Sequence, residues 1–299
     1  MRRRPLLPRL VVFGAVTITL VLALIGMRRF SQNARVSAGL AELGAEFDTF
    51  DSPPFVVYTS VSAGVSKSIA DDLGRFINAF LAGPGVEFGL RPFESELQLI
   101  LFPDVTKLQA YFRRTRHDDV FNLGGFYDAL NRVIVLPADG DRSSRENAYH
   151  EAVHLCLDAA SGTTQPHHSS WVEEGAATYF ARSTLRGSNW QFGGVDFAHR
   201  DTLRQARSAG TAPRMRDVLD AGAVEFSGKQ NRLYYASAHL IVAWLYADGD
   251  ERRRGFADLV KQERLTGPGG ADGLAARLRM PIDQIERDIE SWIESDSCQ

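Results

Sequence analysis

Two histidines and a glutamate in His150-Glu151-Ala152-Val153-His154 carry the clearest chemistry in this chain. Residues four apart on a helix share a face, so both imidazoles can bind one Zn²⁺. The glutamate beside the first histidine then stands where a general base can reach a water activated by that ion. A catalytic zinc site needs a third protein ligand, and Trp171-Val172-Glu173-Glu174-Gly175 offers two carboxylates, 19 and 20 residues beyond His154. Consecutive helical residues point about 100° apart, so one of the two can face the metal and the other cannot. The competing reading is a surface helix with two histidines on one face, followed by acids that a helix N-terminus favours. The pentad arises by chance in roughly one chain in a hundred of this length, which favours the metal.

The elements around the motif agree with that choice. Ser143-Ser144-Arg145-Glu146 has capping-box spacing, so Ser143 is expected to start the motif helix. Ala152, Val153, Leu155, Cys156 and Leu157 make the helix apolar beyond its ligands. Such a helix is buried, and its charged residues need partners. Cys156, two residues past His154, points about 200° away and should not touch a metal. It reads as a buried free thiol, and Cys298 as a tail thiol. Ala176 to Phe180 continue a second helix from the Glu-Glu-Gly segment, with Trp171 as its packing anchor.

His-Glu-x-x-His followed by Trp-x-x-Glu-Gly-x-Ala-x-Tyr resembles the gluzincin zinc metallopeptidases, the thermolysin and aminopeptidase N kind. The resemblance implies that the glutamate before the glycine, Glu174, is the third ligand beside His150 and His154, with Glu151 as the catalytic base. It implies a peptide or protein substrate lying along the edge of a sheet. It also implies a tyrosine beyond the third ligand that steadies the oxyanion, for which Tyr234 and Tyr235 are both candidates. The order of elements from Phe55 to Glu294 is similar to bacterial peptidase MA-like domains, though the zinc motifs alone are specific. No amine-binding signature of an aminopeptidase is present.

The rest of the chain predicts an α+β fold, a mixed N-terminal sheet with helices and a helical C-terminal half. Phe55–Val61 and Glu96–Phe102 read as strands, with a helix over Ser66–Leu81 between them and another over Asp104–Arg116. Gly124–Tyr127 and Asn131–Pro137 read as two strands about a turn. Asn231–Ala247 is dense enough in apolar residues to be a buried helix, and Pro281–Trp292 forms a last one. His239 reads as a core histidine, and His167 and His168 as exposed residues of a polar loop. Trp190, Phe192 and Phe197 flank Gly193-Gly194 and read equally as a pocket or a satellite core.

Leu10–Met27 is an uncharged apolar run of 18 residues flanked by arginines, read as a transmembrane signal anchor, with a cleaved signal peptide as the alternative. Residues 1–9 are then a basic cytoplasmic tail, 28–53 a stalk and 54–295 the metallopeptidase-like domain, placed outside the cytoplasm. The first 35 residues hold seven arginines and no acid, leaving 27 basic against 37 acidic side chains. So acidic a domain is a poor partner for nucleic acid. The expected function is a membrane-anchored zinc peptidase. The alternative is a non-catalytic zinc-binding scaffold or peptide-binding module of the same fold.

Overall fold

The computed structural model describes residue 40 and residues 47–295, apart from 94, 117–123, 140–141, 160–167 and 248. The chain divides into two units, residues 1–47 with 110–119 and residues 48–109 with 120–299. The second carries the five-stranded sheet and the site described below. The expected anchor at 10–27 lies outside the described residues, among which no helix is long and apolar enough to cross a membrane.

Five strands form a mixed sheet: β1 (Asp48–Ser52), β2 (Phe55–Thr59), β3 (Leu97–Phe102), β4 (Phe126–Asp128) and β5 (Val133–Pro137). Their spatial order is β1-β2-β3-β5-β4. β2, β3 and β5 run parallel, with Val57 beside Leu99 and Leu99 beside Ile134, and antiparallel β1 and β4 close the two edges. Every residue of β3 and β5 is buried, which is why both read as unbroken apolar runs rather than alternating ones. The sheet starts earlier than the sequence suggests: residues 48–52 belong to it as β1, not to a stalk.

The helices are α1 (Ala63–Ala82), α2 (Pro84–Glu87), α3 (Val105–Arg116), α4 (Arg142–Ala159) and α5 (Ser170–Ala181). A small hairpin, β6 (Thr184–Arg186) and β7 (Asn189–Gln191), follows. Then come α6 (Phe197–Ser208), α7 (Met215–Leu219), α8 (Ala223–Ser227), α9 (Asn231–Ala247), α10 (Asp250–Thr266), α11 (Gly270–Leu278) and α12 (Ile282–Glu294). The motif helix α4 begins at Arg142, so Ser143 lies inside its first turn rather than at the cap.

Aromatic packing joins the sheet half to the helical half. The Phe80 ring of α1 meets Phe180 of α5 edge-on at 5.1 Å, and Phe88 meets Phe256 of α10 at 5.7 Å. Trp171 is fully buried and packs on the same Phe256 at 5.8 Å, as an anchor should. Trp190 of the hairpin lies 5.9 Å from Tyr149, so it pins β6–β7 to the motif helix. Phe192 stacks on Trp190 and joins this core, whereas Phe197 is exposed.

Candidate metal centre

α4 and α5 lie side by side in opposite directions. Near one end His150 and His154 of α4 meet Glu174 of α5, and near the other Glu146 pairs with Arg182 at 3.5 Å. Glu146, His150 and His154 follow at four-residue spacing, and so do Glu174, Thr178 and Arg182, so one stripe of each helix faces the other. The three inward atoms form a near-regular triangle. His150 Nε2 and His154 Nε2 are 3.1 Å apart, and Glu174 Oε2 is 3.3 Å from the first and 3.5 Å from the second.

Tetrahedral ligands about 2.0–2.1 Å from a common centre stand about 3.3 Å from one another. The triangle therefore fits a zinc-sized ion in three of four positions. Glu174 Oε2 is buried and accepts no well-formed hydrogen bond, although two ring nitrogens face it. A buried acceptor of that kind needs a cation or a donor. Among the described residues this is the one group of three or more His, Cys, Asp or Glu side chains with such convergence.

The choice of Glu174 over Glu173 follows from a helix crossing. A Cβ on Gly175 would stand 2.6 Å from the Ala238 carbonyl oxygen of α9. Only glycine lets α5 and α9 approach so closely. That contact sets the roll of α5, turning Glu174 into the groove beside α4. Glu173, 100° further round, is half-buried outside the triangle, and burial raises its pKa against the charges of His154 and His168.

The same crossing brings Tyr235 of α9 to the centre. Its hydroxyl is within hydrogen-bonding reach of Glu174 and feels the charge of Glu151. Burial first, and those carboxylates second, push its pKa above that of an ordinary tyrosine, so it remains a protonated donor. Tyr234 and Tyr235 both pack edge-on against Phe226, and of the two it is Tyr235 whose hydroxyl meets Glu174.

Glu151 faces the edge strand. Its Cγ would lie 3.6 Å from a Cβ on Gly125, which precedes β4 with φ +156°. The neighbouring Gly124 carbonyl lies 3.5 Å from Asn147 Nδ2. From the middle of β4, the Tyr127 hydroxyl donates to the buried Asp158 of α4 at 2.5 Å. The edge strand is thus fastened to the motif helix just before it begins and at its middle residue.

Electrostatics favour a positive charge on His154 beside Glu174. Burial opposes protonation of His154, but the charge of Glu174 and its contact with the ring outweigh burial and lift the pKa to about 9. Burial likewise favours neutral Glu174, yet the facing histidines hold it well below the usual carboxylate range.

His239 is a core residue, as expected. It is fully buried, with Nε2 3.0 Å from the Gly194 carbonyl and Nδ1 2.9 Å from His199 Nδ1. His168 departs from expectation. Its side chain is buried, with Nδ1 3.7 Å from Glu263, while His167 lies outside the described residues. Cys156 is buried and free, and burial pushes its thiol above its ordinary pKa. Cys298 is also outside the described residues.

Sequence reasoning missed Asp158, Arg182 and Glu263, whose partners are remote in the chain. The one local signal was Glu146, four residues before His150. No known family model matches the chain, and no curated protein matches it.

Proposed function

We propose that His150, His154 and Glu174 hold one zinc ion and that the chain is a membrane-anchored metallopeptidase of the gluzincin kind. The donor triangle, with the Glu174 oxygen otherwise unsatisfied, carries this reading. Bound zinc would supply a Lewis acid for the scissile carbonyl and bring the pKa of a water towards neutrality. Glu151 takes a proton from the attacking water and delivers it to the departing amine. Tyr235 donates to the oxygen of the carbonyl as negative charge grows on it. An extended peptide lies along β4, the edge strand that runs beside the motif helix. Residues 10–27 tether the domain, which faces a peptide or protein substrate outside the cytoplasm.

Elemental analysis of the full-length chain beside a His150→Ala/His154→Ala variant tests the metal. One zinc per chain, lost in the variant, is expected. Absence of zinc from metal-replete protein would overturn the reading. With zinc bound, peptide cleavage should fall about 10²- to 10⁴-fold in Glu151→Gln while zinc is retained. Metal binding without cleavage of any peptide library would leave the non-catalytic scaffold as the better account.

A further inference from the structure

The edge strand β4 is three residues long and pairs with β5 over Phe126–Asp128. The turn that follows fixes its far end. There Asp128 accepts from the Leu130 and Asn131 amides at 3.1 and 3.3 Å, and from Asn131 Nδ2 at 2.8 Å. Backbone pairing holds β4 in the sheet. How close it stands to α4, which packs against both β4 and β5, is left to side chains.

Three contacts join the two elements, in matching order. The Gly124 carbonyl lies 3.5 Å from Asn147 Nδ2, a Cβ on Gly125 would lie 3.6 Å from Glu151 Cγ, and Tyr127 Oη lies 2.5 Å from Asp158 Oδ2. Strand and helix therefore run in the same direction. Asn147, Glu151 and Asp158 fall within about 40° of one line along α4, so the base stands on the stripe that meets β4. The first contact is long for a hydrogen bond and the second is apolar, which leaves Tyr127 the closest of the three. Burial first, and the charge of Asp158 second, push the Tyr127 pKa above that of an ordinary tyrosine, so the phenol keeps its proton and donates. Bonds of this kind to a carboxylate are among the stronger ones.

Building on the peptidase reading above, we propose that Tyr127 is a positioning residue of the cleft. Through Asp158 it sets the spacing between β4 and Glu151, and so serves substrates that extend along β4 rather than those held at the metal alone. Without the hydroxyl, β4 keeps its pairing with β5 and its contacts at Gly124 and Gly125, but its middle residue is released from α4. An extended peptide then loses part of its seat, while the zinc ligands on α4 and α5 stay where they are.

The full-length, zinc-loaded chain, compared with Tyr127→Phe and with Asp158→Asn, whose amide oxygen can still accept, tests the proposal. Kinetics use a quenched octapeptide pool and a chromogenic dipeptide pool. In Tyr127→Phe, KM for the octapeptides should rise about tenfold with kcat nearly kept, and kcat/KM for the dipeptides should stay within about threefold. Asp158→Asn should stay close to wild type on both pools. Amide hydrogen exchange read by mass spectrometry needs no turnover. Residues 125–128 should exchange about tenfold faster in Tyr127→Phe and as in wild type in Asp158→Asn, with 150–154 unchanged in both. An equal loss on the two pools, or unchanged exchange at 125–128, overturns the proposal. Loss of zinc from Tyr127→Phe overturns it too, by making the hydroxyl a support of the metal centre or the fold. A wild-type chain inert toward both pools would instead overturn the peptidase reading, and exchange at 125–128 would still decide whether Tyr127 anchors β4.

Discussion

Gly175→Ala should both loosen the fold and disturb the metal centre. The added Cβ would meet the Ala238 carbonyl oxygen at 2.6 Å and its carbon at 2.9 Å, against an ordinary contact of 3.4 Å or more. Backbone cannot swing aside, so α5 and α9 must part by about 0.8 Å at their crossing. Overpacking of this severity costs about 3 kcal/mol. Alanine's better helix propensity returns about 1 kcal/mol, leaving a net loss of about 2 kcal/mol. For a domain of this size that lowers Tm by roughly 4–8 °C. Tyr235 sits one turn from Ala238 and moves with α9, so zinc affinity or activity should also fall about 10- to 100-fold. Gly64→Ala is the control: it lies in α1 with open space where its Cβ would go, and should raise stability by about 0.4–1 kcal/mol. Thermal unfolding by circular dichroism, with chelator competition for zinc, measures both effects. A Gly175→Ala protein melting within a degree of wild type and binding zinc normally would refute the crossing argument.

Glu174→Ala should weaken zinc more than a hundredfold, and Glu173→Ala less than tenfold, by the same competition assay; the reverse order would mean that Glu173 is the ligand. Tyr235→Phe should lower kcat about 10²- to 10³-fold with zinc affinity nearly unchanged, while Tyr234→Phe should do neither. Equal effects of the two would remove the oxyanion role. Glu263 is fully buried and accepts from Ser169 N at 2.8 Å, Ser169 Oγ at 2.6 Å and Gly269 N at 2.8 Å. Burial alone would raise its pKa, but these bonds and His168 hold it below the ordinary value. The unfolded chain therefore takes up the proton first on acidification, and the contribution of Glu263 is complete above the ordinary glutamate range and lost below it. Urea unfolding should find Glu263→Gln about 2 kcal/mol less stable at pH 7, with the gap closing between about pH 5 and pH 3. A gap independent of pH would contradict this.

What could be read from the sequence depended on how local its cause was. β3 and β5 announce themselves because strands covered on both faces need apolar residues throughout. β1, Asp48-Thr49-Phe50-Asp51-Ser52, gives no such sign, since it is held by backbone pairing with β2 and leaves its acids exposed. The β6–β7 hairpin is three residues a side and mostly exposed, so the contacts of Trp190 with Phe76 and Tyr149 have no counterpart in its own pattern. His168 looked exposed because its neighbours are polar. Its burial comes from Glu263, 95 positions away.

The site divides along the same line. His150 and His154 are fixed by one turn of one helix, and spacing alone brings them together. Between Glu173 and Glu174, spacing is silent, because the answer lies in how α5 is rolled against α9. Yet the residue that sets that roll is in the motif. A glycine within an otherwise alanine-rich helix is unfavourable unless another backbone must come close, so Gly175 marks the line of contact with α9. Glu174 lies 100° from that line and can reach the groove beside it, whereas Glu173 lies 200° away and stays outside the triangle. The glycine thus distinguishes the two carboxylates, and it also fixes the position of Tyr235, which the contact with Ala238 holds over the Glu174 carboxylate.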